Sequence, residues 1–283
     1  MHLGSLLAAV GSYLSVKQAN GRWLLRIEDL DRNREIPGVA EQMLRILESF
    51  GFEWDGKVEF QKNRILFYEQ ALAHLDAKAL CYACRCSRSQ LTSHAIEPGE
   101  ELVYPGTCRN DPDARQRPHA LRFRTDARMP EIAFEDRLQG LVSEDCHRQA
   151  GDFVIRRRDG FFAYHLAVVV DDELQGVTEV VRGCDLLSCT PRQILLQQAL
   201  GYRTPAYAHL PLLLEADGRK LAKSRQAVPL DADRAAPALW EVLAWLRQEP
   251  PAGLAGAPVR EIWAWALPNW RPERLVGCRE LRL

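Results

Sequence analysis

The sequence predicts an α/β protein whose parallel sheet is split by a small α+β insertion and finished by a helical C-terminal end. Three observations lead there. Helical and extended patterns alternate over residues 5–78, the rhythm of parallel strands joined by crossover helices. The rhythm stops near residue 81, where cysteine-bearing loops and short strand-like runs take over. It then returns with the apolar run at 167–170, and from Pro229 onward the chain reads as helix.

Leu6, Leu7, Val10, Tyr13 and Leu14 recur at helical spacing, so residues 5–18 form a helix that ends at Asn20-Gly21. Residues 23–27 form a buried strand running into Glu28-Asp29-Leu30-Asp31. Residues 37–50 form an amphipathic helix with Pro37 in its first turn, and residues 62–78 a third helix. In the insertion, residues 120–124, 132–136 and 153–157 are short strands of a separate small sheet. The continuous apolar run at 167–170 fits a strand buried on both faces. Thr190-Pro191 supplies N-cap and first-turn residues for a helix reaching Leu200, and residues 206–214 form another strand. The expected divisions are 1–80, 81–165, 166–228 and 229–283.

The net charge is −1 over 283 residues, so any contact with nucleic acid must come from local patches such as Arg156-Arg157-Arg158 or Arg122 with Arg124. The same patches also read as solvated faces. Eight cysteines suggest metal ligands or free thiols more than disulfides. No apolar run has the roughly 20 residues that span a bilayer, and no signal peptide opens the chain, which predicts a cytoplasmic protein without membrane contact. Short loops and near-neutral charge suit a monomer.

Chemistry-bearing residues lie at both ends. His2-Leu3-Gly4-Ser5 opens a helix whose unpaired N–H groups and dipole suit a phosphate, with Gly4 permitting close approach. Lys220-Leu221-Ala222-Lys223-Ser224 forms a cationic loop able to neutralise charge on a leaving pyrophosphate. Taken singly, the first also reads as an ordinary cap and the second as a basic turn.

In this order and about two hundred residues apart, the two motifs resemble the HIGH and KMSKS signatures of class I aminoacyl-tRNA synthetases. Three further blocks resemble the glutamyl and glutaminyl branch of that family. They are Arg26-Ile27-Glu28-Asp29-Leu30-Asp31, the run from Tyr164 to Asp172, and Val180-Val181-Arg182-Gly183 followed by Thr190-Pro191-Arg192-Gln193. Together the blocks cover residues 2–224. The resemblance implies a Rossmann-like catalytic domain formed by residues 1–80 and 166–228, with an acceptor-binding-like insertion at 81–165. It is greatest to the short glutamyl paralogues that glutamylate the queuosine base of tRNA(Asp), because the chain ends about sixty residues past Ser224 and carries Cys84-x-Cys86 and Tyr104-x-x-x-Cys108.

That resemblance implies activation of glutamate by ATP and Mg2+, and transfer to tRNA(Asp) carrying queuosine. Glu28 would hold the ammonium; Tyr164 and Arg182 would line the side-chain pocket, Arg182 pairing bidentately with a carboxylate. His2, Gly4, Ser5 and Lys223 would serve ATP, with His2, Lys220 and Lys223 stabilising the reacting phosphates. Cys84, Cys86, Tyr104 and Cys108 would hold a structural Zn2+, with Cys81 as the other candidate for fourth ligand. Cys146, Cys184, Cys189 and Cys278 read as structural thiols. Family members also carry a strand and a Gly-containing turn ahead of the His-x-Gly motif, where Met1 stands here. The expectation is an open central lane beside the helix at 5–18, flanked by residues 23–27 and 206–214, with activity impaired in the chain as written. A non-catalytic nucleotide- or RNA-binding paralogue, or a stunted synthetase that charges the tRNA 3′ end, are the other readings.

Overall fold

The computed structural model describes residues 1–87, 90, 103–116, 118–215, 218 and 230–282. Numbered in chain order, helix α1 is Leu3–Gln18, strand β1 Arg26–Ile27, α2 Val39–Ser49, β2 Glu59–Phe60 and α3 Ile65–Ala77. Strands β3 (Cys81–Cys84), β4 (Ala120–Phe123), β5 (Ile132–Asp136), β6 (Gly140–Glu144) and β7 (Val154–Arg156) follow. Then come α4 (Tyr164–Gln175), β8 (Glu179–Gly183), α5 (Thr190–Leu200), β9 (Ala206–Leu210), β10 (Leu212–Leu214), α6 (Ala235–Trp245), α7 (Val259–Asn269) and β11 (Glu280–Arg282).

The largest sheet runs β6-β5-β9-β8. Strands β8 and β9 pair in parallel, with α5 as their crossover, and β5 joins β9 in parallel at Asp136 opposite Tyr207. Helix α1 packs against this sheet at Gly11, where a Cβ would lie 2.5 Å from Leu210 Cδ1. Only a glycine lets the helix backbone come so close. Leu6, Leu7, Val10 and Leu14 on the same helix share one core with Leu210, Leu239, Val242 and Trp270, which seals the C-terminal helices onto α1.

Four expectations are corrected. Residues 167–170 are not a strand but the middle of α4. Leu166 to Asp172 are all buried, so no polar face marks the helical period, and a run apolar all round does not distinguish helix from strand. The helix stops where Gly176 takes the left-handed conformation. Residues 206–214 are two strands, divided at Pro211, which lacks the N–H needed to continue the ladder. The C-terminal end is not wholly helical, since β11 pairs in parallel with β10. Finally, residues 132–136 do not join the small sheet expected within 81–165: β3, β4 and β7 form that sheet, three-stranded and antiparallel, whereas β5 belongs to the main sheet.

The expected lane corresponds to a cleft of about 770 Å³ beside α1, with Ser12 and Val16 in its wall. One flank is the segment from Trp23 to Arg26, as expected. The other is β8, through Glu179 to Arg182, and not residues 206–214, because β9 is already paired with β5 on one side and β8 on the other. Among the described residues, β1 pairs only with β2.

Carboxylates on α4 hold the β1 side of the cleft in place. Asp171, fully buried, accepts from Gln61 Nε2 (2.9 Å), Arg64 Nε (2.6 Å) and Tyr68 Oη (2.8 Å). Its neighbour Asp172 pairs with Arg26 Nη1 at 2.9 Å, and that nitrogen also donates to Gln175 Oε1 at 2.6 Å. Burial alone would favour protonating Asp172, and its carboxyl lies above the ordinary range although Arg26 opposes the shift. Burial also raises the Tyr68 hydroxyl, and Asp171 adds to the effect.

Replacing Asp171 by Ala leaves the buried Arg64 and Tyr68 donors without their acceptor. The expected loss is about 3–5 kcal/mol of unfolding free energy, read by urea denaturation. Gly11→Val should cost about 1–3 kcal/mol through overpacking against Leu210, seen as a lowered melting temperature. An unchanged midpoint would mean the helix can lift off the sheet freely.

Candidate active site

The site spans the N-terminus of α1, the β1 end of the cleft and the β8 edge. His2 is the N-cap of α1, in extended conformation, and Ser5 N–H donates to its Nδ1 at 3.3 Å. Ser5 Oγ lies 3.1 Å from Nε2, so the ring is folded over its own first turn. Gly4 permits this, since a Cβ there would sit 3.3 Å from the ring. Burial and the neighbouring N-terminal ammonium hold His2 below its ordinary pKa. The first turn of α1 carries no acidic side chain of its own against the positive end of the helix dipole, although Asp185 acts on His2 from outside the helix. Lys220 and Lys223, expected to stabilise the reacting phosphates, lie outside the described residues.

Glu28, Tyr164, Asp172 and Arg182 all line the cleft. The Glu28 side chain is 41 % exposed, with Arg26 Nη2 at 3.5 Å. The surrounding walls push its carboxyl upward, Arg26 opposing and Asp172 reinforcing. It is therefore an under-compensated acidic group, suited to an ammonium. Tyr164 stands at the first position of α4, and burial raises its hydroxyl while Arg182 lowers it.

Arg182, near the C-terminal end of β8, is almost fully engaged. Its Nε faces His209 Nε2 at 3.1 Å. Its Nη2 donates to Thr190 Oγ1 (2.8 Å), Gln193 Oε1 (2.7 Å) and Leu186 O (3.3 Å). Among the described residues its Nη1 donates only to Tyr164 Oη, at 3.3 Å. A guanidinium has five N–H groups, so a ligand carboxylate meets one free Nη1–H together with the Tyr164 hydroxyl. The fully bidentate fork expected from the sequence would require Thr190 or Gln193 to let go.

His209 and Asp136 carried no signal in the sequence: His209 reads as one residue of an apolar strand and Asp136 as a strand end. Thr190 and Gln193 stood in a recognised block without an assigned contact.

The structure also brings Cys84, Cys86 and Cys108 together, all three Sγ atoms lying within 4.8 Å of one another. Tyr104 Oη lies 3.3 Å from Cys84 Sγ and 3.4 Å from Cys86 Sγ, and accepts from Cys108 N–H at 2.9 Å. Cys81 is elsewhere, with its thiol on Asp76 Oδ1 at 3.4 Å. Three thiols spaced this way fit a tetrahedral ion, whose sulfur ligands stand about 3.8 Å apart at Zn–S bonds of about 2.3 Å. Among the described residues no helix is long and apolar enough to cross a membrane.

Comparison with known proteins places this geometry. Residues 1–235 match the family model of the tRNA synthetases class I (E and Q), catalytic domain. Glutamyl-Q tRNA(Asp) synthetase of Ectopseudomonas mendocina (strain ymp) is 48 % identical over 287 residues, covering 99 % of this chain and 92 % of the relative. The protein of that name from Chromobacterium violaceum is 49 % identical over 276 residues, covering 97 % and 91 %. The crystal structure of glutamate-tRNA synthetase from Elizabethkingia anophelis superposes with a TM-score of 0.80 at 21 % identity, over 100 % of this chain and 65 % of that one. A glutamate tRNA ligase from Elizabethkingia meningosepticum gives 0.78 at 21 %, over 100 % and 64 %. This chain thus spans about two thirds of those structures' length, and they share its α/β fold. With the family model over most of its length and near-half identity to relatives end to end, the chain belongs to the class I tRNA synthetases of the E and Q type.

Proposed function

We propose that the chain uses ATP to activate glutamate and transfers it to the queuosine base of tRNA(Asp). The observation that carries this reading is the cleft that sets an under-compensated carboxylate, Glu28, against a guanidinium held by its own protein, Arg182. That pairing of charges suits an amino acid with an acidic side chain. The near-full-length relatives named glutamyl-Q tRNA(Asp) synthetases support the transfer step.

Glu28 receives the α-ammonium, and Arg182 Nη1 with Tyr164 Oη receives the side-chain carboxylate. The α-carboxylate then attacks the α-phosphorus of ATP, giving glutamyl-adenylate and pyrophosphate. The start of α1, with His2, Gly4 and Ser5, lies against the phosphates, where helix N–H groups favour anionic charge. Lys220 and Lys223 neutralise the departing pyrophosphate, and Mg2+ would add positive charge there. A queuosine hydroxyl finally attacks the acyl carbon and displaces AMP. Rate enhancement comes from positioning and charge stabilisation, without a covalent enzyme intermediate. Cys84, Cys86, Tyr104 and Cys108 would hold a structural zinc ion, which would tie β3 to the segment around Tyr104 and Cys108.

Glutamate-dependent ATP–pyrophosphate exchange without tRNA, followed by transfer of labelled glutamate to tRNA(Asp) with and without queuosine, tests the reading. Label should appear only on the queuosine-bearing tRNA. Label on a tRNA 3′ end instead, or no exchange at all, would replace it with a stunted synthetase or a non-catalytic paralogue. Arg182→Ala should raise the glutamate KM roughly 10- to 100-fold through loss of a charge-assisted bond, with the ATP KM little changed. An unaltered glutamate KM would remove Arg182 from the pocket.

The purified protein should contain about one zinc per chain, and Cys108→Ser or a strong chelator should lower both metal content and melting temperature. Protein that folds metal-free and takes up no added zinc would count against the cluster as a metal site.

A further inference from the structure

Behind Arg182 stands a pair of buried side chains that touches no cleft surface. Asp136, the last residue of β5, and His209, on β9, both have side chains with 0 % exposure. His209 Nδ1 lies 2.5 Å from Asp136 Oδ2, while its Nε2 faces Arg182 Nε at 3.1 Å. We infer that Asp136 and His209 are positioning residues that fix Arg182, and through it the substrate carboxylate, by locking the imidazole in one tautomer. The substrate part of this inference rests on the glutamate reading above.

The lock follows from donor and acceptor counting. A guanidinium has no acceptor, so the nitrogen opposite Arg182 Nε must offer a lone pair. The imidazole is therefore neutral, with its hydrogen on Nδ1 pointing at Asp136. Asp136 is itself fully committed. Its Oδ1 accepts the backbone N–H of Leu138 (3.0 Å), Gln139 (2.9 Å) and His209 (3.1 Å), leaving Oδ2 for the ring. Thr190 Oγ1, 3.2 Å from the same Nε2, accepts from Arg182 and can send its own hydrogen to Leu186 O at 3.3 Å. Each donor in the chain from Asp136 to Arg182 thus meets an acceptor. With Nε and Nη2 fastened, the guanidinium plane cannot turn, and Nη1 is the edge it presents to the cleft.

Asp136→Asn tests the lock while preserving shape. The three backbone N–H groups that face Oδ1 hold the amide oxygen there, so the amide NH2 must face His209 Nδ1. The ring then accepts at Nδ1 and carries its hydrogen on Nε2, setting N–H against N–H at Arg182. In glutamate-dependent pyrophosphate exchange the glutamate KM should rise about tenfold or more, with the ATP KM and kcat within about twofold of the parent. A purely structural pair would lower the active fraction or the melting temperature and leave the glutamate KM alone, which would overturn the inference. A second measurement needs no variant: nitrogen-15 NMR of histidine-labelled parent protein should show His209 as the neutral Nδ1–H tautomer. An Nε2–H tautomer or an imidazolium there would overturn the lock directly. If the parent protein shows no glutamate-dependent exchange, the glutamate reading fails, while the tautomer signal still decides whether the pair holds Arg182.

Discussion

Two neighbouring carboxylates in a buried helix are the constraint on which the rest of the site depends. Asp171 and Asp172 sit on α4 with almost no access to water, and adjacent buried anions are tolerable only when opposite charge meets them. The partners come from a distant part of the chain: Arg26 from β1, Arg64 from the start of α3, with Gln61 and Tyr68 adding neutral donors. Among the described residues strand β1 has only the short β2 beside it, so backbone pairing does little to place it. The ionic clamp does that instead. It sets Glu28 on one wall of the cleft while Tyr164, on the same helix as the two aspartates, reaches the other functional group, Arg182.

Arg182 shows how rigidity is built around a charge. A flexible side chain that must wait for ligand loses entropy on binding, whereas one already fastened does not. Here β8 supplies the backbone, α5 supplies Thr190 and Gln193, and β9 supplies His209. Three elements of one parallel unit therefore converge at the strand ends, the customary place for ligands in such sheets. The close contact of Gly11 with Leu210 packs α1 onto the same sheet, so the start of α1 and the end of β8 are held by one shared core.

The thiol cluster stands apart from this arrangement. Tyr104 enters it because its hydroxyl accepts the Cys108 N–H and touches two sulfurs. Cys81 and Cys84 lie on one strand three residues apart, so their side chains leave opposite faces and cannot converge on one point. The spacing rule that makes such a pair attractive applies to loops, and the pairing of β3 with β4 removes the loop.

Most of the fold was legible in residue pattern. The helices at 5–18, 37–50 and 190–200 and the strand at 132–136 agree with the structure to within a few residues, because amphipathic period and cap residues are local properties. Pattern failed where burial was complete, as in α4, since a segment apolar on every side carries no period. The motif blocks likewise placed Glu28, Tyr164 and Arg182 as candidates, and the fold brings all three to one cleft. Which hydrogens of Arg182 remain available, and that a histidine and an aspartate 73 residues apart stand behind it, were decided only by tertiary structure. The parallel pairing of β5 with β9 is a long-range event that no local spacing encodes, and hydrogen-bond partners follow from which strands become neighbours.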